Sequence, residues 1–199
     1  SSFLNGNIVE HDVPEQFFNE LTKALQGKKT AANALAAVQH IASANDLSAS
    51  VEPFVVALTP EICSATGSKD KVTGELAAST LIALTKAINP MSVKVILPHL
   101  TNALASTDKW QTKVAVLAAV SALVDTAKTQ VALRMPELIP VLSESMWDTK
   151  KDVKVAATNT MTKSTETVEN KDIEKFIPQL ISCIANPKEV PETVHLLGA

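Results

Sequence analysis

An all-α solenoid of antiparallel helix pairs is the fold class this sequence predicts, and three observations carry the prediction. Hydrophobic residues make up 46% of the 199 residues but aromatics only 4%, with no Tyr and 5 Gly, a composition that builds helices. Strands would call for more β-branched and aromatic alternation and more turn glycine. The hexapeptide ELTKAL at 20–25 returns as HLTNAL at 99–104. The same phase recurs as LTPEICSAT, ILPHLTNAL, LIPVLSESM and FIPQLISCI, carrying Pro60, Pro98, Pro140 and Pro178. With Asn19 as the equivalent position in the first unit, the spacings are 41, 38, 42 and 38, a period near 40 that marks a repeat array.

Each period reads as two helices. The period is too long for a tetratricopeptide unit and lacks its Trp-Leu-Gly-Tyr signature, so HEAT repeats fit better. Units are expected at about 13–45, 51–89, 93–128 and 135–168, with most of a fifth at 173–199, stacked as a curved superhelix. The first unit holds ELTKAL and then KTAANALAAVQHIA; the second opens its pair with LTPEICSAT. In the third, Val93, Ile96, Leu97, Leu100 and Leu104 have helical spacing. Its partner, TKVAVLAAVSALVDTAK, is apolar on more than one face, as a helix must be when it packs on its own partner and on the next pair. The recurrent proline removes one backbone donor, so a kink is expected at the same phase of every first helix. In the fourth unit Trp147 is expected to end the first helix, and Thr149 with Asp152 has the form of a capping box before Val153, Val155, Ala156 and Ala157. The chain has no initiator Met and stops in an apolar helical run, ETVHLLGA, so it reads as a piece of a longer protein.

The turns inside the units carry the candidate functional residues. Same-phase turns line up along one edge of a solenoid, at a spacing of roughly 8–10 Å. Lys69, Lys71, Lys109, Lys150, Lys151 and Lys188, with Lys28 and Lys29, therefore form a row of positive charge that is the best docking candidate in the chain. Asp108 with Lys113, and Asp148 with Lys154, are expected to form a ladder between neighbouring units. Trp110 and Trp147 are expected in the core, closing the ends of their helix pairs.

Other chemistries are absent from the sequence. It contains no GxxxxGK[ST] loop, GxGxxG turn, GxSxG elbow or HExxH helix. His11, His40, His99 and His195 share no metal-ligand spacing, and Cys63 and Cys183 stand alone in apolar surroundings, as buried reduced thiols would. A net charge of −3 gives no global attraction to phosphate, so any nucleic-acid contact must be local. The uncharged runs are too short to span a membrane.

Four segments carry a resemblance: VALRMPELIPVLSESMWDTKKDVKVAA, NKDIEKFIPQLISCIANPKEVPETVHLLGA, NGNIVEHDVPEQFF and KTAANALAAVQHIA. They are similar to the N-terminal HEAT domain of the fungal translation elongation factor three family. The resemblance implies a cytoplasmic, ribosome-dependent ATPase of the ABC class that promotes release of deacylated tRNA from the exit site. It assigns ATP and Mg to two cassettes downstream. It places the HEAT domain on the head of the small ribosomal subunit, against ribosomal RNA and ribosomal proteins. With no cassette motif of its own, this chain is expected to be a monomeric binding module without cofactor, metal or catalytic residue. Two alternatives stand beside this reading: a HEAT segment of the related coactivator of the amino-acid starvation kinase, and a protein-only scaffold that holds a peptide or helix.

Overall fold

Residues 13–43 and 47–167 are described by the computed structural model. They form helices α1 (Val13–Gln26), α2 (Ala31–Ser43), α3 (Glu52–Ala57), α4 (Thr59–Thr66), α5 (Lys71–Ala87), α6 (Val93–Ser106), α7 (Trp110–Thr126), α8 (Lys128–Ala132), α9 (Met135–Met146) and α10 (Lys151–Thr165). A 3-10 turn, Pro90–Ser92, leads into α6, and no strand occurs among the described residues. The segment 173–199, with Pro178, Cys183 and Lys188, lies outside them.

Two layers organise these helices. α1, α4, α6 and α9 pack in that order in one layer; α2, α5, α7 and α10 pack in the other, and each pair α1/α2, α4/α5, α6/α7 and α9/α10 also joins across the layers. The sequence pattern follows from this. α6 buries one stripe, Val93, Ile96, Leu97, Leu100 and Leu104. α7 is clasped by α5, α6 and α10, and buries Ala115, Val116, Leu117, Ala119, Val120, Ala122, Leu123 and Val124 around much of its circumference. Alanines in that set let neighbouring backbones approach closely while leucines fill the space between them.

Buried threonines in this layer satisfy their hydroxyls on carbonyl oxygens, whereas the buried Ser164 Oγ of α10 has no partner among the described residues. Thr160 Oγ1 lies 2.8 Å from Ala156 O, one turn back on its own helix, and 3.2 Å from Leu117 O in the neighbouring unit. Thr80 repeats the arrangement, 2.7 Å from Leu76 O and 3.5 Å from Leu35 O. A hydroxyl that bonds back to its own turn can be buried without an orphan donor. Glu52, buried at the start of α3, accepts a hydrogen bond from Asn89 N at 3.0 Å and another from the Ser92 hydroxyl. It therefore ties the second helix pair to the entrance of the third.

The proline pattern differs from the expected kink in every unit. Pro98 and Pro140 do lie inside α6 and α9, but Pro60 sits in the first turn of α4, after a break at Leu58 that separates α3 from α4. At a first turn proline removes an N–H that has no intrahelical acceptor, so Pro60 starts a helix where the other two interrupt one. Cys63 is buried at 2% exposure, and burial pushes its thiol up to about 12, which keeps it protonated and unreactive. Among the described residues no single helix is long and apolar enough to cross a membrane; α5 and the Pro90–Ser106 segment pass jointly but meet at 118°.

Candidate docking edge

The turns between the two layers share one local device. A side-chain oxygen two residues ahead of the helix cap accepts the cap's N–H: Ser68 Oγ from Asp70 N at 3.2 Å, Thr107 Oγ1 from Lys109 N at 3.2 Å, and Asp148 Oδ1 from Lys150 N at 2.9 Å. Asp70, Lys109 and Lys150 are accordingly the N-cap residues of α5, α7 and α10. This register corrects the one read from sequence. Asp108 is the counterpart of Thr149, and the counterpart of Asp148 is Thr107.

Capping chemistry is correspondingly uneven. Asp70 Oδ2 accepts from Thr73 N at 3.0 Å and also from the Thr73 hydroxyl, and these two bonds hold its carboxyl below the ordinary value. Lys109 and Lys150 give no side-chain cap. The expected capping box of Thr149 and Asp152 does not form, because Thr149 precedes the cap position and the turn is instead closed by Asp148.

One rung of the expected ladder between neighbouring units is present. Lys113 Nζ in α7 lies 2.6 Å from Asp148 Oδ2 in the next turn, with the two side chains 23% and 11% exposed. The Lys113 ammonium, and then the Lys150 N–H, hold the Asp148 carboxyl below its usual range. Lys113 and Asp148 thus pair between neighbouring units as expected, while Asp108 and Lys154 form no ion pair among the described residues. The second unit cannot supply a lysine at this register, because its residue four past the cap is Gly74. A Cβ there would lie 3.2 Å from Thr66 O, a tight approach of the two backbones.

Lys109 links those two units in another way. Its Nζ donates to Gly67 O at 2.9 Å, and its stem lies so close over Gly67 that a Cβ there would be 2.4 Å from Lys109 Cδ. A side chain at 67 would have to displace the Lys109 stem and the Thr112 hydroxyl, whereas its φ of −89° is open to any residue. Among the described residues, Lys109 therefore has a structural partner that Lys69, Lys71, Lys150 and Lys151 lack. These four are exposed; of them Lys71 has a carboxylate nearby, Glu75 at 3.7 Å, with side chains 87% and 69% exposed. Lys28 and Lys29 are exposed in the first turn, and Lys188 lies outside the described residues.

Both tryptophans are corrected. Trp147 is 69% exposed and Trp110 38% exposed. α9 ends at Met146, and Trp147 is its C-cap, turned away from a core closed by Leu142, Val153 and Ala157. Trp110 is the first residue of α7, one turn ahead of the buried stripe that begins at Thr112 and Ala115. Their position at helix ends was legible; the direction of the rings was not, because the small Val153 and Ala157 already fill the gap. Val72 and Val155, at 68% and 50% exposure, add further apolar surface at the starts of α5 and α10.

The edge offers cations and aromatic faces, and no assembled catalytic group. Among the described residues no three His, Cys, Asp or Glu gather in a way that could hold a metal ion.

Residues 1–161 match the family profile described as the EF3 N-terminal HEAT repeat. The chain is 70% identical over 199 residues to elongation factor 3 of Candida glabrata and 67% identical over 199 residues to elongation factor 3A of Saccharomyces cerevisiae, in each case covering 100% of this chain and 19% of the relative. It is 40% identical over 189 residues to elongation factor 3 of Pneumocystis carinii, covering 94% of this chain and 18% of the relative. The chain thus spans about a fifth of the length of the curated relatives it matches. An engineered protein solved by the Northeast Structural Genomics Consortium superposes with a TM-score of 0.50 at 17% identity, over 90% of this chain and 77% of that one, a likeness of fold.

Proposed function

The chain belongs to the elongation factor 3 N-terminal HEAT-repeat family, and from that premise we propose that it is a ribosome-docking module acting in translation elongation. Its target is the head of the small subunit, through ribosomal RNA and ribosomal proteins. The work of ATP, Mg and exit-site tRNA release belongs to the part of a full-length cytoplasmic factor that this chain does not span. No catalytic step is assigned to the chain's own residues.

The observation that supports docking is the set of exposed turn lysines, Lys69, Lys71, Lys150 and Lys151, carried on one edge of a rigid two-layer stack. A row of ammonium groups on rigid turns recognises phosphate by charge and spacing, without needing a positive protein overall. The test is a charge reversal of these four lysines to Glu, followed by binding to salt-washed ribosomes across a salt titration. Binding should weaken, and the log-log salt slope should flatten by roughly 0.7–0.9 for each phosphate that is no longer engaged. Unchanged binding at every salt concentration would overturn the docking reading.

A further inference from the structure

We propose that Trp147 is a stacking platform for an unpaired RNA base, carried on the same turn as the exposed Lys150 and Lys151, a turn whose backbone is fixed by the Lys113–Asp148 rung. The proposal rests on the docking reading above and names the chemistry of one part of that surface. A tryptophan 69% exposed at a helix C-cap has no core packing of its own among the described residues. The turn that carries it is held by four bonds. Trp147 N bonds Glu144 O at 3.1 Å, Asp148 N bonds Ser145 O at 3.2 Å, Asp148 Oδ1 takes Lys150 N at 2.9 Å, and Asp148 Oδ2 takes Lys113 Nζ at 2.6 Å. The backbone that carries the indole is thus held in place, while the neighbouring Lys150 and Lys151 remain exposed.

Charge decides the class of partner. Asp148, the residue after Trp147, is paired with Lys113, so the exposed charges of the turn 147–151 are Lys150 and Lys151, with Glu144 exposed on the helix that precedes it. An aromatic face flanked by exposed ammonium groups fits a base with its phosphates, since stacking takes any base and the cations follow the backbone. Trp110 starts α7 one helical turn before Lys113, so the rung joins the turn bearing one indole to the helix end bearing the other.

The test uses Trp110→Phe as the parent, leaving Trp147 as the sole indole. Its emission is titrated with a single-stranded oligouridylate, a blunt RNA duplex of equal length and polyglutamate. The single strand should quench emission saturably and the duplex should not. Trp147→Phe, →Leu and →Ala are then compared on whole ribosomes. Alanine and leucine should each weaken binding by roughly 5- to 150-fold and phenylalanine by much less, the range expected for one stacked base. Quenching by polyglutamate instead of RNA, or leucine binding as well as phenylalanine, would mean a protein partner and overturn the proposal. Ribosome binding that responds to the four-lysine reversal but not to Trp147→Ala would overturn stacking and leave docking standing. Saturable quenching by the single strand, with ribosome binding indifferent to both sets of variants, would support the platform while overturning the ribosome as its target.

Discussion

Lys113 and Asp148 come from adjacent helix pairs and meet at 2.6 Å, with Asp148 only 11% exposed and its second oxygen occupied by Lys150 N. One carboxylate thus closes its own turn and fastens that turn to the preceding pair. Asp148→Ala should destabilise the fold by about 1.5–3 kcal/mol, the range for hydrogen bonds to charged groups. Lys113→Met should cost less, because Asp148 keeps its bond to Lys150 N. A double-mutant cycle in urea checks this; a coupling energy near zero would reduce the rung to a solvated contact.

The same carboxylate makes stability acid-sensitive. Its folded pKa is lowered by Lys113 and by Lys150 N, so folding favours the ionised form. That contribution is complete above the ordinary unfolded carboxylate value of about 3.9 and is lost as pH falls through the lowered folded value. Asp70, lowered by Thr73, acts in the same direction. Melts between neutral pH and pH about 2 should show the parent losing stability on acidification more steeply than Asp148→Asn. Parallel curves would contradict the linkage.

Trp147→Ala should change stability by no more than about 0.5 kcal/mol, since the ring is 69% exposed and leaves no cavity. Leu100→Ala, at a fully buried position of α6, should cost about 2–5 kcal/mol. Thermal melts of the two variants provide the comparison. A large loss on truncating Trp147 would return it to the core.

The repeat and its helices were legible because periodicity is enforced everywhere. A helix clasped on three sides, such as α7, has to be apolar nearly all round, and Val93, Ile96, Leu97, Leu100 and Leu104 could only be one buried stripe. The turn lysines were legible for the same reason, since phase alone places them on one edge. What escaped was anything that depends on one residue of register. The caps are Asp70 and Lys109, because Ser68 and Thr107 supply the matching turn oxygens, so Asp108 falls one residue before its cap. Ring direction escaped too, since a tryptophan at a helix end satisfies the pattern whether it turns inward or outward. Gly67 and Gly74 carried the missed signal: glycines seven residues apart around one turn, in a chain with only 5, mark close approaches.

Lys109 is the member of the lysine row whose two possible roles can be separated by substitution at a different residue. Its ammonium is bonded to Gly67 O at 2.9 Å and its stem fills the space where a Cβ at 67 would stand. Gly67→Ala leaves every charge in place but must push the Lys109 stem aside, breaking the link between the second and third helix pairs. If Lys109 is structural, Gly67→Ala and Lys109→Met should destabilise to similar extents, about 1 kcal/mol each, and the double variant should cost little more than either alone. Ribosome binding by the two single variants should then stay near the parent's, in contrast to reversal of Lys150 and Lys151. If instead Lys109→Met weakens ribosome binding with no loss in the melt, while Gly67→Ala does not, the ammonium leaves Gly67 on docking and belongs with the other exposed lysines. Denaturant midpoints and binding isotherms on the same four proteins distinguish the two outcomes.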